Sequence, residues 1–233
     1  FGSDDRWGTF PSVSVGWIAS EEGFMQGISA ISLLKLRASW GIVGNNNIEE
    51  YNQFARVSSG SAYSSIFGTT VAAGTGVSSI PNTFLTWEQT AEYDLGFDVG
   101  FFDNRINVGY DYYNRKTKSL LYRVTVSQES GFENYWGNVG ELQFWGHEIQ
   151  LNTRNLIGKL KWSTDFNISF TDNKVNELTG VIDRVYGDWT ITKVGDKVGL
   201  FYGLVWDGVY DNQEEFDNSP TNPQLSVGSI KYR

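Results

Sequence analysis

Side chains with catalytic or metal-binding chemistry are scarce in this chain, which holds one histidine and no cysteine among its 233 residues. Without thiolates or a second imidazole, a transition-metal site would have to be built from carboxylates alone. No G-x-S-x-G turn surrounds a serine, and no Ser-His-Asp set can be assembled around His147. His147 also falls on the apolar side of a predicted strand, where a structural role is the commoner one. We therefore expect no enzyme activity, no metal site and no cofactor.

Carboxylates are plentiful, and Glu92, Asp94 and Asp98 share one side of a predicted strand. A pair of carboxylates at a suitable separation could hydrolyse a glycosidic bond. The alternative is a hydrated wall, in which charged groups line a water-filled interior, and we favour that interpretation. The acidic stretch from Asp211 to Asn218 could bind calcium, but it lacks the glycine and the final glutamate of an EF-hand loop. A solvated loop is the favoured interpretation there.

Aromatic side chains in the predicted long loops are the best candidates for a binding role. Loops carry function more often than the elements they connect, and aromatic faces suit stacking against sugars or peptides. The alternative is that these rings pack the loops together or contact a covering partner protein. The candidate ligand- or lid-binding residues are Tyr135, Trp136, Tyr186, Trp189 and Trp206.

The elements that must position these residues are long amphipathic strands. Between Trp87 and Tyr122, apolar and mostly aromatic residues alternate with carboxylates and glycines on either side of the turn Phe102 to Arg105. Each arm supplies about 10 alternating residues, the length of a tilted transmembrane strand. The pattern predicts a hairpin with lipid on one face and a watery interior on the other.

Two further hairpins are predicted around Trp17 to Trp40 and around the turn Arg154 to Gly158. The three connections within the hairpins are short or moderately short. The others are long and rich in glycine, serine and asparagine, and we expect them to lack regular structure: Gly44 to Thr83, Thr125 to Gly140, and Asn173 to the end. Alternating short turns and long loops are typical of outer-membrane barrels, with the long loops on the cell surface.

Composition supports this interpretation and excludes others. A 40% hydrophobic content is low for a packed core, the 15% aromatic content is high, and the net charge of −9 argues against binding nucleic acid. The predicted fold class is all-β, an antiparallel transmembrane β-barrel segment of about six long strands. Two alternatives are a soluble β-rich carbohydrate-binding module and a non-transporting adhesin-like barrel.

An ordered series of short motifs along the chain resembles the SusC/RagA-like TonB-linked outer-membrane proteins of Bacteroidetes. The series comprises Arg6 to Ser14 with Gly16-Trp17, Leu34 to Gly41, Gly44-Asn45, Trp87-Glu88, Asp94-Leu95-Gly96, Phe101 to Ile106, Tyr112-Tyr113, Leu120-Leu121, Gly131-Phe132, Asn138, Gly140, Gly146, Glu148, Phe201-Tyr202-Gly203 and Asp207 to Tyr210.

The resemblance implies a barrel of about 22 strands in the outer membrane, in contact with its lipid and filled by a plug. It also implies TonB-driven import of glycans or peptides together with a SusD-like surface lipoprotein. We expect residues 1–233 to be an internal part of the barrel domain. The plug, the TonB box and hence the contact with the TonB complex would then belong to a missing N-terminal part. Nothing in the sequence separates a glycan substrate from a peptide.

Overall fold

A computed structural model describes residues 5–178, 183–187, 189–219 and 224–232. The regular structure of these residues is almost all strand, with one short helix, α1 (Gln213–Asp217), and two 3-10 turns, Ala19–Glu21 and Gln128–Ser130. No helix within the described ranges is long and apolar enough to cross a bilayer. The strands are β1 (Ser12–Ile18), β2 (Ile31–Asn45), β3 (Val57–Phe67), β4 (Thr70–Val77), β5 (Glu88–Phe101), β6 (Ile106–Lys118), β7 (Leu121–Thr125), β8 (Asn134–Asn138), β9 (Glu141–Ile157), β10 (Lys161–Glu177), β11 (Arg184–Tyr186), β12 (Thr190–Lys193), β13 (Leu200–Phe201), β14 (Trp206–Val209) and β15 (Ile230–Tyr232).

The main body is a six-stranded antiparallel sheet with the order β1-β2-β5-β6-β9-β10. Its longest strands, β9 and β10, have 17 residues each, far beyond the usual strand length of about 5–6. The three predicted hairpins are confirmed as β1–β2, β5–β6 and β9–β10. The end of the sheet at which these three hairpins reverse direction is named the turn end. The opposite end is named the loop end.

One face of the sheet is apolar from edge to edge. Register places Trp17 opposite Leu36, Leu36 opposite Phe97 and Phe97 opposite Tyr110, so the apolar residues of successive strands share a face. Phe97 is 36% exposed and Val15 is 66% exposed. The buried apolar residues of the described chain lie at the ends of the sheet or outside it: Ala19, Leu85, Val124, Val139, Val175 and Tyr210. In the described ranges no second layer covers this face, which is the pattern of a sheet that meets lipid.

The opposite face is polar and carries an ion-pair network across three strands. Arg37 on β2, Gly96 on β5 and Asp111 on β6 stand in one row of the register. The guanidinium of Arg37 crosses above Gly96 to reach Asp111 (Nη1 to Oδ1, 2.9 Å) and also binds Asp98 (Nε to Oδ2, 3.0 Å). A Cβ at position 96 would collide with the Asp111 carboxylate, so the glycine leaves the space that the bridge needs. Ion pairs therefore connect β2, β5 and β6 on the face that was predicted to be a hydrated wall.

The turns at the turn end are tight for β5–β6 and β9–β10. Phe102, Asp103 and Asn104 all adopt left-handed backbone conformations, with φ of 53°, 56° and 57°, and two of them are residue types that tolerate this region. The predicted turn at Phe102 to Arg105 is confirmed. The turn predicted at Arg154 to Gly158 is wrong, because β9 continues to Ile157, opposite Lys161. Arg154 and Asn155 resemble turn residues by composition, yet Arg154 pairs with Ser163, and Asn155 is the unpaired residue of a bulge within β9.

The long connections are not structureless, which corrects the sequence-based expectation. Residues 44–83 contain the β3–β4 hairpin, and residues 125–140 contain β8, which pairs with β7. After Asn173, β10 runs on to Glu177, and the chain then forms a three-stranded sheet, β11-β12-β13, and a two-stranded sheet, β14-β15. In β3 and β4, serine, glycine, threonine and alanine leave little apolar alternation, and the other added strands have only two to five residues, so their pairing leaves a weak signature in the sequence.

Candidate functional site

The loop end of the sheet carries four of the candidate aromatic residues: Tyr135, Trp136, Tyr186 and Trp189. β2 ends at Asn45, opposite the start of β5 at Glu88, and the long connections leave from this edge. The Glu88 carboxylate accepts hydrogen bonds from Asn45 Nδ2 (3.0 Å) and from the backbone N–H of Leu121 (2.9 Å). One side chain thus ties the bases of two loops together.

Trp136 on β8 lies at the edge of a charged cluster formed by Glu49, Arg56 and Arg123. The guanidinium carbon of Arg123 on β7 is 5.1 Å from the centroid of the Trp136 ring, a cation–π arrangement. Glu49 binds Arg123 (Oε1 to Nη2, 3.0 Å) and Arg56 (Oε2 to Nη1, 2.7 Å). The carboxylate of Glu49 therefore joins the first long loop to the hairpin that carries Trp136.

A second set of hydrogen bonds fixes the same hairpin from the other side. Asn82 Nδ2 donates to the carbonyl of Trp136 (2.9 Å). Asn138 accepts from the N–H of Thr86 (2.9 Å) and donates to the carbonyls of Thr86 (2.9 Å) and Ser119 (2.8 Å). Because side-chain amides satisfy backbone groups here, the β7–β8 hairpin is held in a defined orientation.

Tyr135 and Trp136 are adjacent on β8, so their side chains leave the hairpin on opposite faces. Tyr135 pairs with Val124, which is buried, whereas Trp136 pairs with Arg123. The structure therefore separates these two candidates, and Trp136 is the one built into the charged cluster.

Tyr186 and Trp189 form a second aromatic group with Tyr202. The Tyr186 and Tyr202 rings have centroids 5.2 Å apart, and the N–H of Tyr202 donates to the carbonyl of Trp189 (2.9 Å). Trp189 is 76% exposed, so its ring is available to a ligand. Beside this group, Arg184 donates to Asp183 (Nη2 to Oδ2, 2.6 Å). This bond lowers the pKa of Asp183 and raises the pKa of Arg184.

An apolar pocket lies between the hairpin that carries Trp136 and the strands next to Tyr186. The pocket has a volume of about 100 Å³ and lies at the base of the β7–β8 hairpin, beside the β11–β12 sheet. Leu120, Val139 and Leu142 line it from one side, and Val185 and Val198 line it from the other. Apolar side chains of both loop units therefore face each other across this pocket.

Trp206 belongs to a third unit, formed by β14, β15 and α1. It pairs with Tyr232 across the two strands and is 67% exposed. Lys231 binds Glu215 (Nζ to Oε1, 2.6 Å), which lowers the pKa of Glu215, and the N–H of Asp211 adds to this effect. Described contacts join Trp206 to this unit and not to the other candidates.

The side chains at this surface are those of a candidate binding site. Within the described ranges, no three His, Asp or Glu side chains lie close enough together to hold a metal ion. The loop end presents exposed aromatic faces beside arginine and carboxylate groups. These side chains can stack on and hydrogen-bond to a polar ligand. Sequence reasoning missed Glu49, Arg123 and Tyr202. Arg123 and Trp136 become partners through the β7–β8 pairing, which the sequence did not reveal.

Comparison with known proteins shows the class to which this architecture belongs. Residues 1–229 match the family described as "TonB dependent receptor-like, beta-barrel". The chain belongs to this family, and its six-stranded sheet is a segment of an outer-membrane β-barrel.

Individual receptors of this family are similar to the chain along most of its length. The chain is 35% identical to TonB-dependent receptor P39 of Formosa agariphila over 227 residues, which cover 97% of the chain and 21% of that receptor. It is 34% identical to TonB-dependent receptor SusC of Bacteroides thetaiotaomicron over 213 residues, which cover 85% of the chain and 20% of SusC. The structure of the RagAB peptide transporter matches 90% of the chain and 23% of its own, with 26% identity and a TM-score of 0.80. The chain thus spans about a fifth of the length of these relatives.

Proposed function

We propose that this chain is part of a TonB-dependent outer-membrane transporter that imports glycans or peptides together with a SusD-like surface lipoprotein. The observation that carries the proposal is the sheet itself, apolar on one whole face and charged on the other, with elaborate loops at one end. The kinship with SusC and with the RagAB peptide transporter supports the import role. TonB would supply energy through a part of the protein outside this sequence.

The loop end then faces the cell exterior, where substrate and partner arrive. Tyr135, Trp136, Tyr186, Trp189 and Trp206 are the proposed contact residues, and the exposed faces of Trp189 and Trp206 are the most accessible of them. Trp136 has a double role in this proposal, because its ring also seats Arg123. The tight turns at the other end face the periplasm.

Replacement of Trp189 by alanine in the complete receptor tests the proposal. We expect several-fold weaker substrate uptake or weaker co-purification of the lipoprotein partner, because a large exposed aromatic surface is lost. Trp162→Ala is the matched control: Trp162 is also exposed, at 59%, but lies on β10 at the turn end. Heat-modifiable migration on gels verifies assembly of both variants. Unchanged uptake and unchanged partner binding in the Trp189 variant would remove this residue from the site.

A further inference from the structure

Four of the short motifs in the ordered series along the chain meet at one place, at the loop end of the sheet. They contribute Asn45, Glu88, Leu121 and Asn138. Asn45 ends β2 opposite Glu88, which begins β5, and Leu121 pairs with Asn138 across β7 and β8. These residues therefore close the ends of two long connections, residues 46–87 and 119–140. We call the four residues, together with Thr86, the loop junction.

Glu88 uses both oxygens of its carboxylate in the loop junction. Oε1 accepts a hydrogen bond from Asn45 Nδ2 (3.0 Å), and Oε2 accepts one from the backbone N–H of Leu121 (2.9 Å). The amide of Asn45 is held in this orientation, because its Oδ1 accepts from the N–H of Asn47 (3.0 Å). One side chain on β5 thus fixes the start of the first connection and the start of the β7–β8 hairpin relative to each other.

Asn138 completes the loop junction and uses both hydrogens of its amide. Its Oδ1 accepts from the N–H of Thr86 (2.9 Å), and its Nδ2 donates to the carbonyls of Thr86 (2.9 Å) and Ser119 (2.8 Å). Ser119 has a left-handed backbone, with φ of 53°, at the point where the chain leaves β6 for β7. This conformation costs free energy in a residue other than glycine, so it needs partners that hold it. The bond to the Ser119 carbonyl therefore fixes the direction in which the hairpin leaves the sheet.

Apolar side chains shield the part of the loop junction around Asn138 from water. Leu85 is fully buried, and Val139 is 7% exposed. Water competes poorly for hydrogen bonds in such surroundings, so the loss of a partner leaves a buried polar group unsatisfied. The bonds made by Asn82 and Glu49 link the same two connections at points further from the sheet. The first connection and the β7–β8 hairpin are therefore held together as one body.

We propose that Glu88 and Asn138 are positioning residues, which hold residues 46–87 and 119–140 as one unit and fix the orientation of Trp136. The ligand is the one assigned under the proposed function, and the inference rests on that assignment. Trp136 lies two residues from Asn138 on β8, so a shift of the junction shifts its ring. A surface that is ordered before its ligand arrives loses less conformational entropy on binding. Two polar side chains at the base of the loops thus determine how strongly the loop end binds.

Hydrogen–deuterium exchange of the complete receptor in detergent micelles tests the loop junction, with Asn138→Asp as the variant. Aspartate has the same shape but cannot donate, so the bonds to the carbonyls of Thr86 and Ser119 are lost. We expect several-fold faster exchange in peptides from both connections, such as residues 80–87 and 119–126. Exchange in the middle of β9 should not change, because the sheet itself keeps its backbone pairing.

Asn134→Asp is the matched control, because it is the same substitution on the same strand. The side chain of Asn134 makes no hydrogen bond within the described ranges, and Asn134 lies at the far end of β8 from the sheet. Exchange in both connections should match that of the native receptor. Glu88→Ala removes both acceptor oxygens at once and should give the same result as Asn138→Asp, which provides a second variant if the first fails to assemble.

Uptake by whole cells measures the consequence for binding. Fluorescently labelled maltoheptaose and a labelled tryptic digest of casein serve as the glycan probe and the peptide probe. We expect Trp136→Ala and Asn138→Asp each to lower uptake of the imported probe several-fold. The double variant should be no worse than Trp136→Ala alone, because Asn138 acts through Trp136 and the two effects are not additive.

Two results would overturn the inference. Native exchange in both connections of Asn138→Asp and Glu88→Ala would show that the junction does not hold the loops. Losses of uptake that multiply in the double variant would show that Asn138 acts by a route other than Trp136. Normal uptake in Trp136→Ala, together with faster exchange in Asn138→Asp, would instead count against the proposed function of the ring and leave the junction in place. Because exchange is measured without substrate, it decides whether the loops form one unit even if neither probe is imported.

Discussion

Single residues on the polar face decide whether charges on different strands can meet. Arg37 and Asp111 belong to strands that do not pair with each other, and the residue between them is Gly96. A glycine within a strand normally weakens it, because its backbone loses more freedom on folding. Here the absence of a side chain allows the guanidinium of Arg37 to reach across β5. The glycine thus lowers the strand propensity of β5 but permits an ion pair that connects three strands.

Gly96→Ala should break this cross-link. The added Cβ would displace the Asp111 carboxylate and leave Arg37 with Asp98 alone. We expect the free energy of unfolding in detergent or lipid to fall by about 1–2 kcal/mol, since the bridge is partly exposed to water.

Gly109→Ala is the matched control, because a Cβ at this polar-face glycine would meet its nearest neighbour at an ordinary 3.5 Å. Its effect should stay below about 1 kcal/mol. Equal losses in the two variants would show that strand propensity, and not the bridge, explains the result.

At the scale of the element, strand alternation was predictable and hairpin pairing inside the loops was not. The faces of β5 and β6 follow from side chains that strongly favour lipid or water at every second position. β3 and β4 offer serine, glycine, threonine and alanine on both faces, so backbone hydrogen bonds define them and side-chain patterning does not.

The candidate site was predictable only in part, for a related reason. Large aromatic residues stand out in a loop-rich sequence, and Trp136 and Trp189 were found in this way. Glu49 and Arg123 are 74 positions apart, and their contact depends on the packing of two loops that no local pattern encodes. The prediction therefore identified side chains that could bind a ligand and missed those that hold them in place.

Two adjacent positions on β9 test the alternation directly. Ile149 lies on the apolar face, opposite Tyr110 and Ile168, whereas Gln150 lies on the polar face, opposite Gly109 and Asn167. Ile149→Arg should destabilise the assembled barrel by about 2–4 kcal/mol if it lies near the bilayer midplane, because a cation would be placed in lipid. Gln150→Arg should change stability by about 0.5 kcal/mol or less.

Urea unfolding of the complete receptor in liposomes measures both effects. Gln150 is a better control than Asp98, because Asp98 is bonded to Arg37 and its replacement would also break an ion pair. Similar losses at positions 149 and 150 would contradict the assignment of the two faces.

At the scale of the whole molecule, the sheet is open at both edges. β1 and β10 each pair with one neighbour in the described chain, so each leaves a row of backbone N–H and C=O groups without a ladder partner on its outer side. The same sheet has an uncovered apolar face. Both features are satisfied when further strands and lipid surround the segment.

Residues 1–233 expressed alone should therefore aggregate in plain buffer, or require detergent to stay dispersed. Size-exclusion chromatography with circular dichroism distinguishes the outcomes, because aggregated sheet elutes early and melts without a sharp transition. The complete receptor in the same detergent is the control. A sharp monomer peak with cooperative melting in buffer would instead support a soluble β-rich module.

The β3–β4 hairpin has a consequence for how the sheet assembles. Closing the segment between β2 and β5 as a flexible chain has an entropic cost that grows slowly with the length of the loop. Pairing of Val57 with Val77 removes the residues between them from the effective length of the loop. Each halving of the effective length lowers the closure cost by about 0.6 kcal/mol. An excursion that folds on itself first thus lets β2 find β5 almost as if the two strands were joined by a much shorter link.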